Sequence, residues 1–136
     1  MSMLRKQELR RLLSGPQGGS HSVLNGYDLS GLHLCGVSLE RALLRHADLS
    51  LCDLSRADLR GAQLQHASLQ GANLSDADLR GANLRGADLR GAYLCRADLR
   101  GAVLIGARVD GAIVSGARCE HLRVDRRYAH YFGHVG

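Results

Sequence analysis

Arg60, Arg80 and Arg100 recur at intervals of twenty residues, and Asp58, Asp78 and Asp98 stand two residues before each of them. Guanidinium groups in a row are the side chains best suited to bind phosphate or carboxylate. Interleaved carboxylates instead cancel the field and make a solvated ion-pair network. His46 and His66 repeat the same interval. Two imidazoles could begin a metal site, but no third ligand stands at a matching position. The four cysteines, Cys35, Cys52, Cys95 and Cys119, include no Cys-x-x-Cys, the spacing that a zinc site would favour. No nucleophile is paired with a base, and no glycine-rich loop leads into a helix. The chemistry on offer is therefore that of a surface, and the question becomes what element makes a twenty-residue interval meaningful.

The answer is a shorter period inside it. From Leu29, a step of five residues meets Leu at every position to Leu104, then Val109, Val114, Cys119 and Val124. Two residues before each stands another apolar residue, beginning with Tyr27, Leu32 and Val37, continuing mostly as Ala, and ending with Leu122. The unit is Ala-(Asp/Asn)-Leu-x-x in twenty copies and one register. Such self-similarity means a repeat architecture. Five matches neither the helical spacing nor the alternation of a flat strand. Apolar residues two apart share one face of an extended segment, and a bend must then return the next pair inward. Gly stands two residues after the central position in eleven of the twenty units, where its tolerance of positive φ suits a corner. Arg, His, Asp and Leu fill other corners, so the bend does not require glycine. A chain that bends the same way every five residues closes a polygon.

The run from Asp78 to Ala92, Asp-Leu-Arg-Gly-Ala-Asn-Leu-Arg-Gly-Ala-Asp-Leu-Arg-Gly-Ala, resembles the pentapeptide-repeat family, and the likeness extends over about residues 27–126. It implies an all-β fold, a right-handed quadrilateral β-helix with four units per coil. Twenty units then make about five coils, about 24 Å long at the usual strand spacing. Central leucines such as Leu49, Leu59, Leu69, Leu79, Leu89 and Leu99 should fill the axis, with Ala beside them where the interior is narrow. Residues twenty apart should stack, which sorts the outward positions into four faces.

On the third face, Asp58, Arg60, Asp78, Arg80, Asp98 and Arg100 form adjacent ladders, expected as ion pairs rather than as a phosphate site. On the second face Tyr93 and Ile113 point outward; on the fourth, Val103 and Ile105 do. An exposed apolar group of this kind marks a contact surface or the seat of a folded-back tail. His46 and His66 should stack on adjacent coils. Cys52 and Cys119 point inward, whereas Cys35 and Cys95 lie outward and about 14 Å apart, beyond disulfide reach.

The ends break the period and divide the chain into residues 1–26, the rod at 27–126, and 127–136. Residues 3–13 form a short basic helix with Leu9, Leu12 and Leu13 on one face, followed by a Gly- and Ser-rich linker over 14–20. Three roles stand open for it: a cap on the rod, a docking peptide, or a contact with anionic lipid. Tyr128, Tyr131 and Phe132 offer a lid for the last coil or anchors for a dimer, and the family resemblance implies that a C-terminal dimer can form. The formal net charge is +5, with +3 from residues 1–26, +1 from the rod and +1 from Arg127.

No apolar run reaches the length of a membrane span and the N-terminus has no apolar stretch like a signal peptide, so a cytoplasmic protein is expected. The functional expectation is a non-enzymatic interaction or structural module, a subunit of a larger bacterial or viral assembly, with a protein partner or a second copy. No cofactor, metal or small-molecule substrate is expected, and neither nucleic acid nor membrane is the main partner. Two alternatives remain. The resemblance implies a DNA gyrase-binding regulator of the DNA-mimic type, although a near-neutral rod departs from the acidic surface that this role needs. The basic termini suggest direct nucleic-acid contact.

Overall fold

A computed structural model describes residues 3–13, 15 and 18–133. Its dominant feature follows from the five-residue unit. At every fifth residue from His21 to His121, φ is positive, between 56° and 76°, whether or not the residue is glycine. Each corner is closed by a turn hydrogen bond, as where Ala82 N donates to Leu79 O at 3.0 Å. A positive φ at the third residue of a four-residue turn is the mark of a type II turn. Between turns only about three residues are extended, so each side of the polygon contributes a single bridging residue. That is why regular strands are few. Among the described residues, the two that qualify are β1 (Val103–Leu104) and β2 (Arg123–Val124).

The bridges give the winding. Every one is parallel and joins residues twenty apart, from Val23–Leu43 to Asp98–Arg118, and β1 pairs with β2 in the same register. Twenty residues are four pentapeptides. Hydrogen bonds run along the rod between windings, as where Leu79 N donates to Asp98 O at 2.8 Å and Asp78 N donates to Ala57 O at 2.9 Å. The chain is a β-helix solenoid.

The interior is lined by the two apolar positions of the unit. Leu49, Leu59, Leu69, Leu79, Leu89 and Leu99 are all buried, as are the alanines two residues before each of them; before Leu54 that place is taken by the buried Cys52. Each fully buried Leu contributes about 1.5–3 kcal/mol. No polar or charged residue is buried among the described residues.

The register starts earlier than residue 27. Val23 already bridges Leu43, and Leu24 is buried as a central residue. Gly19 occupies the central position before it, and its N–H donates to Ser38 O. The expected linker over 14–20 therefore becomes part of the first winding from Gly18 onward. The physical reason is that a glycine-rich stretch can follow the bends even where it supplies no side chain to the core.

The helix α1 (Met3–Leu13) lies across this end. Leu9 and Leu13 join the core cluster, while the side chain of Leu12 lies outside the described residues. A Cβ on Gly19 would lie 2.5 Å from Leu13 Cδ2 and 2.5 Å from Leu39 Cδ2. Leu13 thus fills the space that a central Leu at position 19 would have taken. At the other end the chain leaves the register as a 3-10 helix, Arg126–Phe132, which buries Tyr128 and Phe132.

Candidate interaction surfaces

The third face carries the ladders, and the ladders are closed. Arg60, Arg80 and Arg100 each meet the Asp two residues before at 2.7 Å. The extended backbone between them puts both side chains on one face. Arg60 also approaches Asp78 at 3.9 Å, Arg80 approaches Asp98 at 3.7 Å, and Arg60 reaches Glu40 at 3.5 Å. The row is a continuous zigzag of alternating charge. Hydrogen bonds from Arg60 and Arg100 hold the Asp58 and Asp98 carboxyls below the usual carboxylate range, and the same bonds raise the arginines. A guanidinium engaged in this way has little left to offer a phosphate. Exposed pairs are individually worth about 0–1 kcal/mol, so the network serves solubility and register more than stability.

Further pairs obey the same spacings. Asp88 and Arg90 meet at 2.7 Å on the first face, and the corner residues Asp76 and Arg96 meet at 3.0 Å across one winding. Both were legible as an Asp two residues before an Arg, or twenty before it. Asp28, Asp48 and Asp53 each accept from the Ser two residues later at 2.6 Å.

His46 and His66 stack, with ring centroids 5.1 Å apart and planes 12° from parallel. A Cβ on Gly86, the next corner of that column, would lie 2.5 Å from His66 Nδ1. Corner side chains therefore lean over the following winding, and glycine in the next corner makes room. Among the described residues no group of three or more His, Cys, Asp or Glu could hold a metal ion.

The apolar candidates divide. Tyr93 and Ile113 are exposed neighbours that bridge each other on the second face. Val103 and Ile105 are half-buried on the fourth. Second and fourth are opposite sides of a four-sided rod, so the expected apolar group is two small patches rather than one surface.

The terminal candidates are mostly occupied within the chain. Leu9 and Leu13 are buried against the first winding. Lys6 secures the helix by donating to Ser30 O at 3.0 Å and Ser30 Oγ at 2.9 Å, and it lies 3.4 Å from Asp28. Of the three roles open to this helix, the described contacts are those of a cap. Tyr128 and Phe132 are buried as a lid, and the Tyr128 hydroxyl donates to Asp110 at 3.0 Å. They are not free anchors. Tyr131 is only half-buried, and so are Val114, Ala117, Cys119 and Val124 of the last winding. That layer is partly covered, and elsewhere Val23, Leu51, Tyr93 and Ile113 are exposed apolar side chains on the rod's surface.

Two cavities, of about 240 and 300 Å³, lie beside the N-terminal cap. Leu13, Gly18 and Val37 help to line the first, and Lys6, Arg10 and Ser30 the second. No helix among the described residues is long and apolar enough to cross a membrane.

The unit, the twenty-residue register and the filled interior define a pentapeptide solenoid. The family of pentapeptide repeats matches residues 22–61, 57–94 and 77–116, with eight copies, and the chain belongs to that family. Among solved structures, a pentapeptide repeat protein from the thylakoid lumen of Arabidopsis thaliana is 32% identical, with a TM-score of 0.58 over 87% of this chain and 81% of that one. A pentapeptide repeat protein from Nostoc is 34% identical, with a TM-score of 0.51 over 65% of this chain and 84% of that one. QnrB1, a plasmid-mediated fluoroquinolone resistance protein, aligns at 20% identity over 90% of this chain and 92% of that one with a TM-score of 0.35, too distant to carry function. No curated protein matches the sequence.

Proposed function

We propose that the protein is a non-enzymatic interaction module, a rigid right-handed square rod that associates with a second copy of itself through its C-terminal end. The observation that carries this reading is the uneven closure of the two ends. Val114, Cys119 and Val124 remain half-buried after Tyr128 and Phe132 have packed. The register also stops there, so the last winding presents a strand edge of the kind that invites pairing. Two such ends placed face to face would cover both layers with one isologous contact. The rest of the molecule supports a binding role, because its interior is filled with leucine and alanine.

Light scattering over a concentration series tests this. The full chain is expected to move from one copy to two, and Val114→Glu is expected to hold it at one copy without unfolding it. A single-copy mass at all concentrations would refute self-association. Supercoiling assays with purified gyrase separate the regulatory alternative: inhibition or protection at stoichiometric protein would put a gyrase-binding role in place of self-association.

A further inference from the structure

The charge ladder of the third face changes sign at its last rung. Before the central residue the column reads Asp58, Asp78, Asp98 and then Arg118; after it, Arg60, Arg80, Arg100 and then Glu120. The inner rungs are closed at 2.7 Å. In each the Asp also takes the backbone N–H of its Arg, as where Arg100 N donates to Asp98 Oδ1 at 3.2 Å; an arginine in that place has no acceptor to offer. Arg118 and Glu120 are exposed, and among the described residues neither closes an ion pair. Their charges fall on Asp98 and Arg100 beneath them, which are already bonded to each other. The backbone of this rung is open as well. One winding lower, Leu99 N donates to Arg118 O at 2.8 Å, Gly101 N donates to Glu120 O at 3.0 Å, and Ala97 O accepts from Arg118 N at 2.9 Å. The groups that repeat these at the edge are Cys119 N, His121 N and Ala117 O. Among the described residues the two N–H groups have no acceptor, and Ala117 O is met by the Cys119 thiol at 3.6 Å. The lid and β2 lie elsewhere: Tyr128 is bonded to Asp110 on the first face, opposite the third, and β2 runs on the fourth.

We propose that the edge at residues 117–121 is the seat of the contact between two copies, paired antiparallel with the same edge of the second copy so that Arg118 of each meets Glu120 of the other. The proposal rests on the reading of self-association through the C-terminal end and deepens it. A strand edge can pair with itself about a two-fold axis when the strands run antiparallel. The free backbone groups permit two registers. With the axis at Arg118, Cys119 N donates to Ala117 O of the second copy; with the axis at Cys119, His121 N donates there instead. Charge decides between them. The first register sets Arg118 against Arg118, and like charges directly opposite destabilise a strand pair. The second sets Arg118 against Glu120 twice, in pairs whose Cα atoms lie about 4.5 Å apart. The shape of the end favours the same axis. The second face stops at the winding of Ile113 and Val114, and the fourth goes on to Arg123 and Val124. The end is therefore a ramp with the third face at its middle. A half-turn about that middle sets the high side of one ramp over the low side of the other.

Sedimentation equilibrium of the full chain and its charge variants at low ionic strength tests this. Arg118→Glu and Glu120→Arg should each weaken pairing about tenfold, because each sets like charges together at two places. An equimolar mixture of the two variants should regain the affinity of the unmodified chain within about threefold, since each supplies the charge that the other lacks. That recovery keeps the test valid if a variant folds poorly, because an unfolded chain would not be rescued by the other. The control Arg45→Glu makes the same change of net charge at an exposed position of the fourth face and should alter pairing by less than about twofold. A full chain that stays at one copy would overturn this proposal and self-association together. A full chain that pairs, with single variants that pair equally well or a mixture that regains nothing, would overturn the Arg118–Glu120 contact and leave the C-terminal reading standing.

Discussion

The two ends of the rod meet one problem and solve it differently. A β-helix exposes its apolar layer wherever the winding stops. At the N-terminal end the layer is covered by α1, and Leu24, Leu29, Leu34 and Leu39 are all buried. At the C-terminal end a local 3-10 turn buries Tyr128 and Phe132 but leaves Val114, Cys119 and Val124 half-buried. The first solution brings a side chain from outside the repeat into a gap that the repeat left open at Gly19. The second folds the chain back on itself immediately, as a 3-10 helix that buries Tyr128 and Phe132. Complementarity of shape, not the amount of apolar material, separates a sealed end from an open one.

Truncations test this most strongly. Leu79→Ala in mid-rod should cost about 2–5 kcal/mol in denaturant unfolding, and Leu13→Ala at the sealed end should fall in the lower half of that range. Val114→Ala at the open end should cost about 1 kcal/mol or less, because less area leaves the core. Equal losses at Leu13 and Val114 would erase the distinction between the ends.

Gly19→Leu comes next. The added side chain would meet Leu13 and Leu39 at once, so either the core is overpacked, at about 1–3 kcal/mol, or α1 is displaced. Displacement should appear as faster tryptic cleavage after Lys6, Arg10 and Arg11. Unchanged stability together with unchanged cleavage would show that Leu13 does not occupy the gap.

Cysteine labelling is gentler and reads both ends in one experiment. Cys35 is exposed near the first winding and should react first. Cys52 is buried, and burial pushes its thiol up to about 11, so it should react last. Cys119 is half-buried in the last winding, with its thiol raised by burial and then by Glu120. If two copies meet at that end, its labelling should slow as protein concentration rises while that of Cys35 does not. Parallel behaviour of the two would locate the contact elsewhere.

Much of this was legible in the residues themselves. The five-residue period exposed the core, because burial of a pair two apart and a bend every fifth residue admit few other shapes. The Asp–Arg ladder and the His46–His66 stack followed from the twenty-residue interval once the family resemblance implied four units per coil. The start of the winding was not legible. Gly19 carries no apolar side chain, so the central position there gave no signal, and its missing volume comes from Leu13 in another element. The role of α1 was open for the same reason, since an amphipathic helix looks alike as cap or as docking peptide until its contacts are known.

The smallest expected effect is a dependence on pH with opposite signs at the two ends. At the sealed end, hydrogen bonds from Ser30, followed by the charge of Lys6, hold the Asp28 carboxyl below the usual range. A lowered carboxyl stabilises the fold above its unfolded value near 4 and loses that contribution as pH falls through the folded value. At the open end, burial and then the bond to Asp110 raise the Tyr128 phenol. A raised phenol stabilises the fold below its unfolded value near 10 and loses that contribution as pH rises through the folded value. Acid should therefore loosen the Asp28 contact at the sealed end, and alkali should loosen the Tyr128 lid at the open end. Spectrophotometric titration should show one of the four tyrosines ionising late, and Tyr128→Phe should abolish that late step. Amide exchange should quicken at α1 on the acid side and at residues 126–132 on the alkaline side, each measured against the intrinsic rate at that pH. Unchanged exchange at α1 in acid would cut the link between the lowered Asp28 carboxyl and the clamp, and unchanged exchange at residues 126–132 in alkali would cut that between the raised Tyr128 phenol and the lid.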